Sequence, residues 1–352
     1  MNPLQVLVVD DSAVVRQAMT ALLEDEMAVT TAADPIIAMM KMESMKPDVI
    51  VLDLEMPRMD GLTFLRRLMD ESPLPVVVCS SLTATSSELT MRALQLGAVD
   101  VVAKPKVRVG DSPSDSVIAL IETIRGAAQA KVGRVPRARR GQRAGGRAQK
   151  NEALPPRPVP PAHRHVIVAG ASTGGTEVLR QFLDAMPAGA PPIVIVQHMP
   201  ERFTAAFARR LHETAAVEVR EAVEGDVLRP GLALIAPGDR HLTLIRQGSG
   251  ALSVALHDTP LVNRHRPSVD VLFSSAARTL GTLGVGVLMT GMGRDGAKGL
   301  LAMRTAGAQT IVQDEATSVV FGMPKAAIEL AAAMHVVAAP ALAATALEAC
   351  AN

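Results

Sequence analysis

The stretch "HVIVAGASTGGTEVLRQFL", residues 165–183, decides the fold of the longer half of this chain. It reads as a buried strand, a tight glycine-rich turn and a helix. Within it "GASTG" (170–174) fits the G-x-S-x-G pattern, whose small flanking residues permit a sharp turn that exposes the serine. The competing reading is a phosphate cradle. That loop lacks the lysine of a Walker motif, and its glycines do not meet the G-x-G-x-x-G spacing. Five residues cannot separate a nucleophile from an ordinary polar turn residue, so the partners of Ser172 have to be sought elsewhere.

Outward from this stretch the rhythm of strand and helix continues. "PPIVIVQHM" (191–199), "GVGVLMTGM" (284–292) and "AQTIVQD" (308–314) read as further strands. "RPGLALIAPGDRHLTLI" (229–245) and "ALSVALHD" (251–258) read as antiparallel strands with Gly and Pro turns. The second half is therefore α/β, doubly wound, with a small antiparallel addition. Toward the N-terminus the pattern repeats. "LQVLVVD", "MAVTTA", "PDVIVLDL", "PLPVVVCSS" and "AVDVVAKP" predict five short strands, with helical spacing between them in "AVVRQAMTALLEDE" and "DPIIAMMKMESMK". Such alternation implies a five-stranded parallel sheet covered on both faces. The methionines at 39, 40, 42 and 45 are expected to fill its core. Between the halves, "KVGRVPRARRGQRAGGRAQK" carries eight basic residues and no acid, and "LPPRPVPP" follows. The first part repels itself and the second favours extended geometry, so neither can bury a core. The predicted division is a first domain at 1–125, a linker at 126–162 and a second domain at 163–352.

Composition narrows the function. With no Trp, no Tyr and only six Phe, stacking of nucleic-acid bases is not expected, and a net charge of +1 offers no global attraction to polyanions. Cys79 and Cys350 are too few for a disulfide framework. The chain reaches "LQVLVVDD" with no basic leader or apolar signal core, and no apolar run reaches the roughly 18 residues that span a bilayer. A cytoplasmic protein without membrane insertion is expected.

In a parallel sheet, chemistry gathers beyond the carboxyl ends of the strands. Asp10, Asp11, Asp53, Ser80 and Lys104 all end predicted strands of the first domain. Three carboxylates brought together repel, and a hard cation such as Mg²⁺ relieves that repulsion. One carboxylate can then act as nucleophile toward phosphorus, with a lysine and a hydroxyl holding the phosphoryl oxygens. Singly, each Asp could be a helix cap. In combination, "VVDDS", "VLDLEMPRMDG", "VVVCSSLT" and "VVAKP" resemble the receiver domain of two-component response regulators, over residues 4–124. The resemblance implies a flavodoxin-like fold, Asp53 as phosphoacceptor, and Mg²⁺ on Asp10, Asp11, Asp53 and the Glu55 carbonyl. It also implies phosphoryl contacts from Ser80 and Lys104 and a cis bond at Lys104–Pro105. Val101 stands where many receivers carry an aromatic switch residue, which puts that switch in doubt here.

A base for Ser172 should end a neighbouring strand. Of the eight histidines, His198 directly follows "PPIVIVQ", whereas His163 and His165 precede the serine's own strand and His212 falls in a predicted helix. Asp295, in the Gly-rich turn of "TGMGRDGA", is the candidate acid, with an N-cap of the following helix as its bland alternative. The order Ser, His, Asp excludes the usual α/β-hydrolase wiring. "GASTGG", "QHMP", "APGDRHL", "RHRPSVDVLF", "TGMGRDGA" and "FGMPKAAI" resemble the methylesterase domain of the chemotaxis protein-glutamate methylesterases, the CheB family, from His165 to Val336. The resemblance implies catalysis by Ser172, His198 and Asp295, with backbone N–H groups of Thr173 and Met292 as oxyanion hole. It implies hydrolysis of glutamate γ-methyl esters, and deamidation of glutamines, on methyl-accepting chemoreceptors, with a chemotaxis histidine kinase as phosphodonor and no cofactor for the esterase step. Arg264 and Arg266 are candidates for recognising an acidic receptor region. Rival readings are a response regulator with a DNA-binding effector, a non-catalytic scaffold, and a methylesterase of a pathway other than motility. The expected control is a receiver that covers the Ser172 rim until Asp53 is phosphorylated.

Overall fold

The computed structural model describes residues 3–56, 59–81, 83–104, 115–130, 132 and 164–351. Pro105, and with it the expected cis bond, lies outside the described residues, as does most of the basic and proline-rich stretch.

In the first domain, strands β1 (Gln5–Val9), β2 (Ala28–Ala32), β3 (Val49–Leu52), β4 (Val76–Ser80) and β5 (Asp100–Ala103) pair in parallel in the order 2-1-3-4-5. Helices α1 (Ala13–Leu23), α2 (Pro35–Ser44), α3 (Gly61–Glu71), α4 (Ala84–Gln95) and α5 (Asp115–Ala128) cover both faces. This is the flavodoxin-like topology. β3 and β4 are buried along their whole length, which is why they read as unbroken apolar runs. α5 carries on to Ala128, past the boundary drawn at 125. Of the α2 methionines, Met39 and Met42 pack on the core, but Met40 is 66% exposed. Ser12, Asp34 and Asp60 accept from backbone N–H groups as N-caps of α1, α2 and α3, so the capping role falls to them and not to Asp10, Asp11 or Asp53.

The second domain holds a seven-stranded parallel sheet. Its strands are β6 (Val166–Ala171), β7 (Ile193–Gln197), β8 (Glu218–Glu221), β9 (Leu232–Ile235), β12 (Gly284–Leu288), β13 (Gln309–Gln313) and β14 (His335–Val337), in the order 14-13-12-6-7-9-8. β10 (His241–Arg246) and β11 (Leu252–His257) form a separate antiparallel pair. Helices α6 (Gly175–Asp184), α7 (Phe203–His212), α8 (Val269–Leu280), α9 (Ala297–Thr305), α10 (Met323–Glu329) and α11 (Leu342–Ala351) complete it. One expectation is corrected here. The turn residues around "GLALI" point to the antiparallel addition, but β9 pairs in parallel with β7 and β8 inside the main sheet. All its residues are buried, the signature of a strand covered on both sides, and the following "APGD" starts the true antiparallel segment. The chain winds from β6 outward to β7 on one side and returns to β12 on the other, which makes the carboxyl end of β6 a topological switch point.

The two domains touch through the edge strand β5 and its flanking helices α4 and α5. The Gly174 N–H donates to the Val99 carbonyl at 3.3 Å, so a free carbonyl at the end of a sheet edge is satisfied by the serine loop of the other domain.

Candidate active site

β6 ends at Ala171, and Ser172 is the next residue; β7 ends at Gln197, and His198 is the next. Since β6 and β7 are hydrogen-bonded neighbours, the two side chains leave the same edge side by side. Asp295 arrives from the loop between β12 and α9, on the other flank of β6. The three groups meet. His198 Nδ1 lies 3.1 Å from Ser172 Oγ, and His198 Nε2 lies 2.8 Å from Asp295 Oδ2. The imidazole thus turns Nδ1 to the hydroxyl and Nε2 to the acid. With Nε2 donating to the carboxylate, Nδ1 carries the free lone pair that accepts the serine O–H.

Backbone approach makes this possible. A Cβ on Gly291 would lie 2.7 Å from Ser172 Cβ and 2.4 Å from Met323 Sδ, so only glycine fits where the β12 loop passes the serine. The side-chain amide of Gln197 donates to the carbonyls of Ser172 and His198 at 3.0 and 3.1 Å and ties the two turns together.

Asp295 is almost wholly buried and is held from four further directions. Oδ1 accepts from Asn263 Nδ2 at 2.7 Å and Ser268 Oγ at 2.8 Å, and the N–H groups of Val269 and Asp270 donate to the carboxylate at 2.6 and 3.2 Å. Burial alone would raise its pKa. The hydrogen bond and charge of His198, with Asn263 and Ser268, outweigh burial and hold the carboxyl well below the usual carboxylate range. The bland role expected for Asp295 is corrected in detail: Gly296 occupies the N-cap of α9, while Asp295 caps the start of α8 instead. Asn263 and Ser268 are site residues that sequence reasoning does not single out. Among the described residues the N–H groups of Thr173 and Met292 donate to no protein acceptor, which leaves them available to an oxyanion.

Arg264 and Arg266 are both ion-paired, although the Arg264 side chain stays 66% exposed. Arg264 forms an ion pair with Glu122 of α5, and Arg266 pairs with Asp239 and donates to the carbonyls of Asp258 and Thr259. The first-domain face sits directly over the serine. A cavity of about 340 Å³ is lined jointly by Asp100, Val101, Leu120 and Thr123 from one domain and Ser172 and His198 from the other. The Asp100 carboxyl is pushed up to about 6 by burial, against hydrogen bonds from the Val101 N–H and the Thr173 side chain. A Cβ on Gly126 would meet Met292 Sδ at 3.1 Å and Thr173 Oγ1 at 3.3 Å, so α5 presses its one side-chain-free position onto both oxyanion candidates.

In the first domain, carboxylate oxygens of Asp10, Asp11 and Asp53 lie within 4.8 Å of one another. Lys104 Nζ bridges Asp53 Oδ2 at 2.7 Å and Asp10 Oδ2 at 2.9 Å. Burial raises the Asp53 pKa against the pull of Lys104, while the two carboxylates hold the Lys104 ammonium above its ordinary range despite its own burial. Hard oxygen donors this close, Asp10 and Asp53 buried and Asp11 exposed, fit a small divalent cation. Ser80, at the end of β4, is buried, and among the described residues its hydroxyl reaches only the Ser81 carbonyl, at 3.4 Å.

Comparison with known proteins agrees with both halves. A family model described as CheB methylesterase matches residues 167–346, and one described as response regulator receiver domain matches residues 6–109. The protein-glutamate methylesterase/protein-glutamine glutaminase 2 of Rhizobium johnstonii is 52% identical, over 92% of this chain and 92% of that protein. A protein-glutamate methylesterase/protein-glutamine glutaminase of Anaeromyxobacter dehalogenans is 53% identical over 97% and 98%. Among solved structures, the catalytic domain of the Thermotoga maritima CheB methylesterase is 39% identical and covers 52% of this chain and 97% of its own, with a TM-score of 0.51. On these matches the chain belongs to the CheB methylesterase family, with a response-regulator receiver domain ahead of the methylesterase domain.

Proposed function

We propose that this chain is a phosphorylation-controlled protein-glutamate methylesterase and protein-glutamine glutaminase, acting on chemoreceptors by a Ser172–His198–Asp295 triad. The observation that carries the reading is the unbroken chain of contacts from Ser172 Oγ through the imidazole to a carboxylate shielded from solvent. Ser172 Oγ attacks the ester carbonyl while Nδ1 of His198 takes its proton. Asp295 holds the tautomer and stabilises the imidazolium through Nε2. Negative charge developing on the carbonyl oxygen is met by the N–H groups of Thr173 and Met292. Collapse breaks the carbon–oxygen bond, and Nδ1 returns the proton so that methanol leaves; with a glutamine substrate, ammonia leaves. Water, deprotonated by the same nitrogen, then releases a glutamate carboxylate and restores the serine. Among the described residues no DNA-reading element accompanies this site, and no helix is long and apolar enough to cross a membrane. Methanol release from methylated receptor by wild type and by Ser172→Ala tests the reading; equal rates would end it.

Control follows from the docked face. In the proposed scheme Asp53 accepts a phosphoryl group from a histidine kinase, its oxygen bonding to phosphorus as the donor's bond to phosphorus breaks. Asp10, Asp11, Asp53 and the Glu55 carbonyl would hold Mg²⁺, which offsets charge on the transferring group. Lys104 and Ser80 bind the phosphoryl oxygens. Unphosphorylated, the receiver blocks the Ser172 rim with Val99, Asp100 and α5. Its departure uncovers Ser172 and releases Arg264 from Glu122, which leaves that guanidinium free for an acidic receptor segment.

A further inference from the structure

The geometry points to His265 as a positioning residue for the base: a ring stacked on His198 that fixes the plane of the catalytic imidazole and steadies its protonated form. The inference rests on the triad reading above and adds a fourth side chain to it.

The two rings stack with centroids 3.7 Å apart and planes 17° from parallel. Hydrogen bonds to Ser172 and Asp295 lie at opposite edges of the His198 ring. Both bonds lie in the ring plane and resist tilting out of that plane only weakly, and contact on the ring face adds that restraint. Among the described residues no hydrogen bond engages either ring nitrogen of His265, so it is the face of this ring that is used. Burial, then the neighbouring His198 and Arg264, push its pKa down to about 3, against the pull of Asp295. A neutral π-face against an imidazole that becomes cationic in the transition state is attractive, where a second cation would repel.

The backbone holding His265 is built for placement. Val262 and His265 exchange both backbone hydrogen bonds, at 3.1 and 3.0 Å, around Asn263 (φ 50°) and Arg264 (φ 67°). Two consecutive left-handed residues between paired neighbours make the tight two-residue turn that asparagine favours. This turn is bolted on both sides. Asn263 Nδ2 bridges Asp295 Oδ1 and Asp270 Oδ2, each at 2.7 Å, and Arg266 is pinned by Asp239. One short turn therefore orients the triad's acid through Asn263 and its base through His265. Both residues lie in the motif "NRHRPSVD" (263–270), where Arg264, His265 and Arg266 stand together in the sequence.

The test compares wild type, His265→Ala and His265→Phe in the full chain, activated with beryllium fluoride and Mg²⁺. Methanol release from methylated receptor is measured alongside covalent labelling of Ser172 by a small organophosphonate, which makes no receptor contacts. Loss of the ring is expected to lower kcat about 10-fold with KM unchanged and to slow labelling by a similar factor, and phenylalanine, flat but unable to titrate, should restore both to within about 3-fold of wild type. Alanine matching wild type in both assays overturns the inference. So does phenylalanine as slow as alanine, since the imidazole nitrogens and not the face would then be at work, and so does an effect confined to KM. A wild type that labels rapidly but releases no methanol sinks the ester reading alone, and the ratio of labelling rates still decides the role of His265.

Discussion

Replacing Gly126 with leucine should unlock the enzyme without phosphorylation. Gly126 is buried in α5, and even a single added carbon would sit 3.1–3.3 Å from the Met292 and Thr173 side chains, tighter than an ordinary van der Waals contact. Leucine adds three further carbons beyond that already crowded Cβ. Overpacking of this kind costs about 1–3 kcal/mol, and here the strain exists only while α5 is docked. The docking equilibrium should therefore shift about 5–150-fold toward the open form. The helix itself is not weakened, because leucine is a better helix former than glycine by about 1 kcal/mol. Methanol release by the unphosphorylated variant should rise toward the activated wild-type rate and stop there, while its activated rate stays that of wild type. Gly126→Ala, which asks neighbours to yield only tenths of an ångström, should fall between the two. A leucine variant with the wild-type basal rate would refute the claim that α5 contact with Met292 and Thr173 restrains the enzyme.

Asp295→Asn should lower kcat about 10⁴-fold while the chain still folds, because an amide can hold the ring but in the wrong tautomer; steady-state methanol release with a thermal melt checks both parts. Gly291→Ala should cost at least about 100-fold in kcat, since its methyl would displace Ser172 by close to an ångström. Asp100 titrates near 6 when docked, against an ordinary 3.8, so the docked form holds the extra proton; docking is strongest below pH 3.8 and weakens as pH rises through about 6. Asp100→Asn should flatten that pH dependence and tighten docking at pH 7 by up to about 3 kcal/mol, read as slower hydrogen exchange at the Gly174 amide and a lower basal rate. Chelating Mg²⁺ should abolish activation by a phosphodonor and leave basal methanol release unchanged.

Much of the candidate site is legible in the sequence because parallel sheets bring side chains together at strand ends. A serine and a histidine directly after apolar runs, and an aspartate in the turn after a third, can be placed on one rim without knowing the sheet order. What escapes reading depends on contacts between distant segments. Asn263 and Ser268 serve Asp295 only because a tight turn and the start of α8 fold onto the β12 loop, and neither residue type announces that in sequence. β8, "EVRE", is a half-exposed edge strand of charged residues, and β14 is three residues long, so neither carries a strong strand pattern. β9 is legible as a strand, but its direction is not, because periodicity reports burial and not pairing.

The route from Asp53 to Ser172 is short: an ion pair, one strand and a side-chain hydrogen bond. Lys104, which binds the Asp53 and Asp10 carboxylates, immediately follows β5, and Asp100, beside Thr173, begins it. Four residues of strand, roughly 13 Å, join the two ends. Where many receivers place a swinging aromatic, this strand carries Val101, which is 3% exposed and packed into the interface cavity. A valine is stiff at χ1 and too short to carry a signal by rotating. In the proposed control, coupling between phosphorylation and docking would instead run through Ser80, on the neighbouring β4, and displacement of β5 itself. An edge strand is suited to such movement, because β4 holds only one of its sides. The other side meets the catalytic domain where the Val99 carbonyl takes the Gly174 N–H, a bond that a small slide of the strand would break.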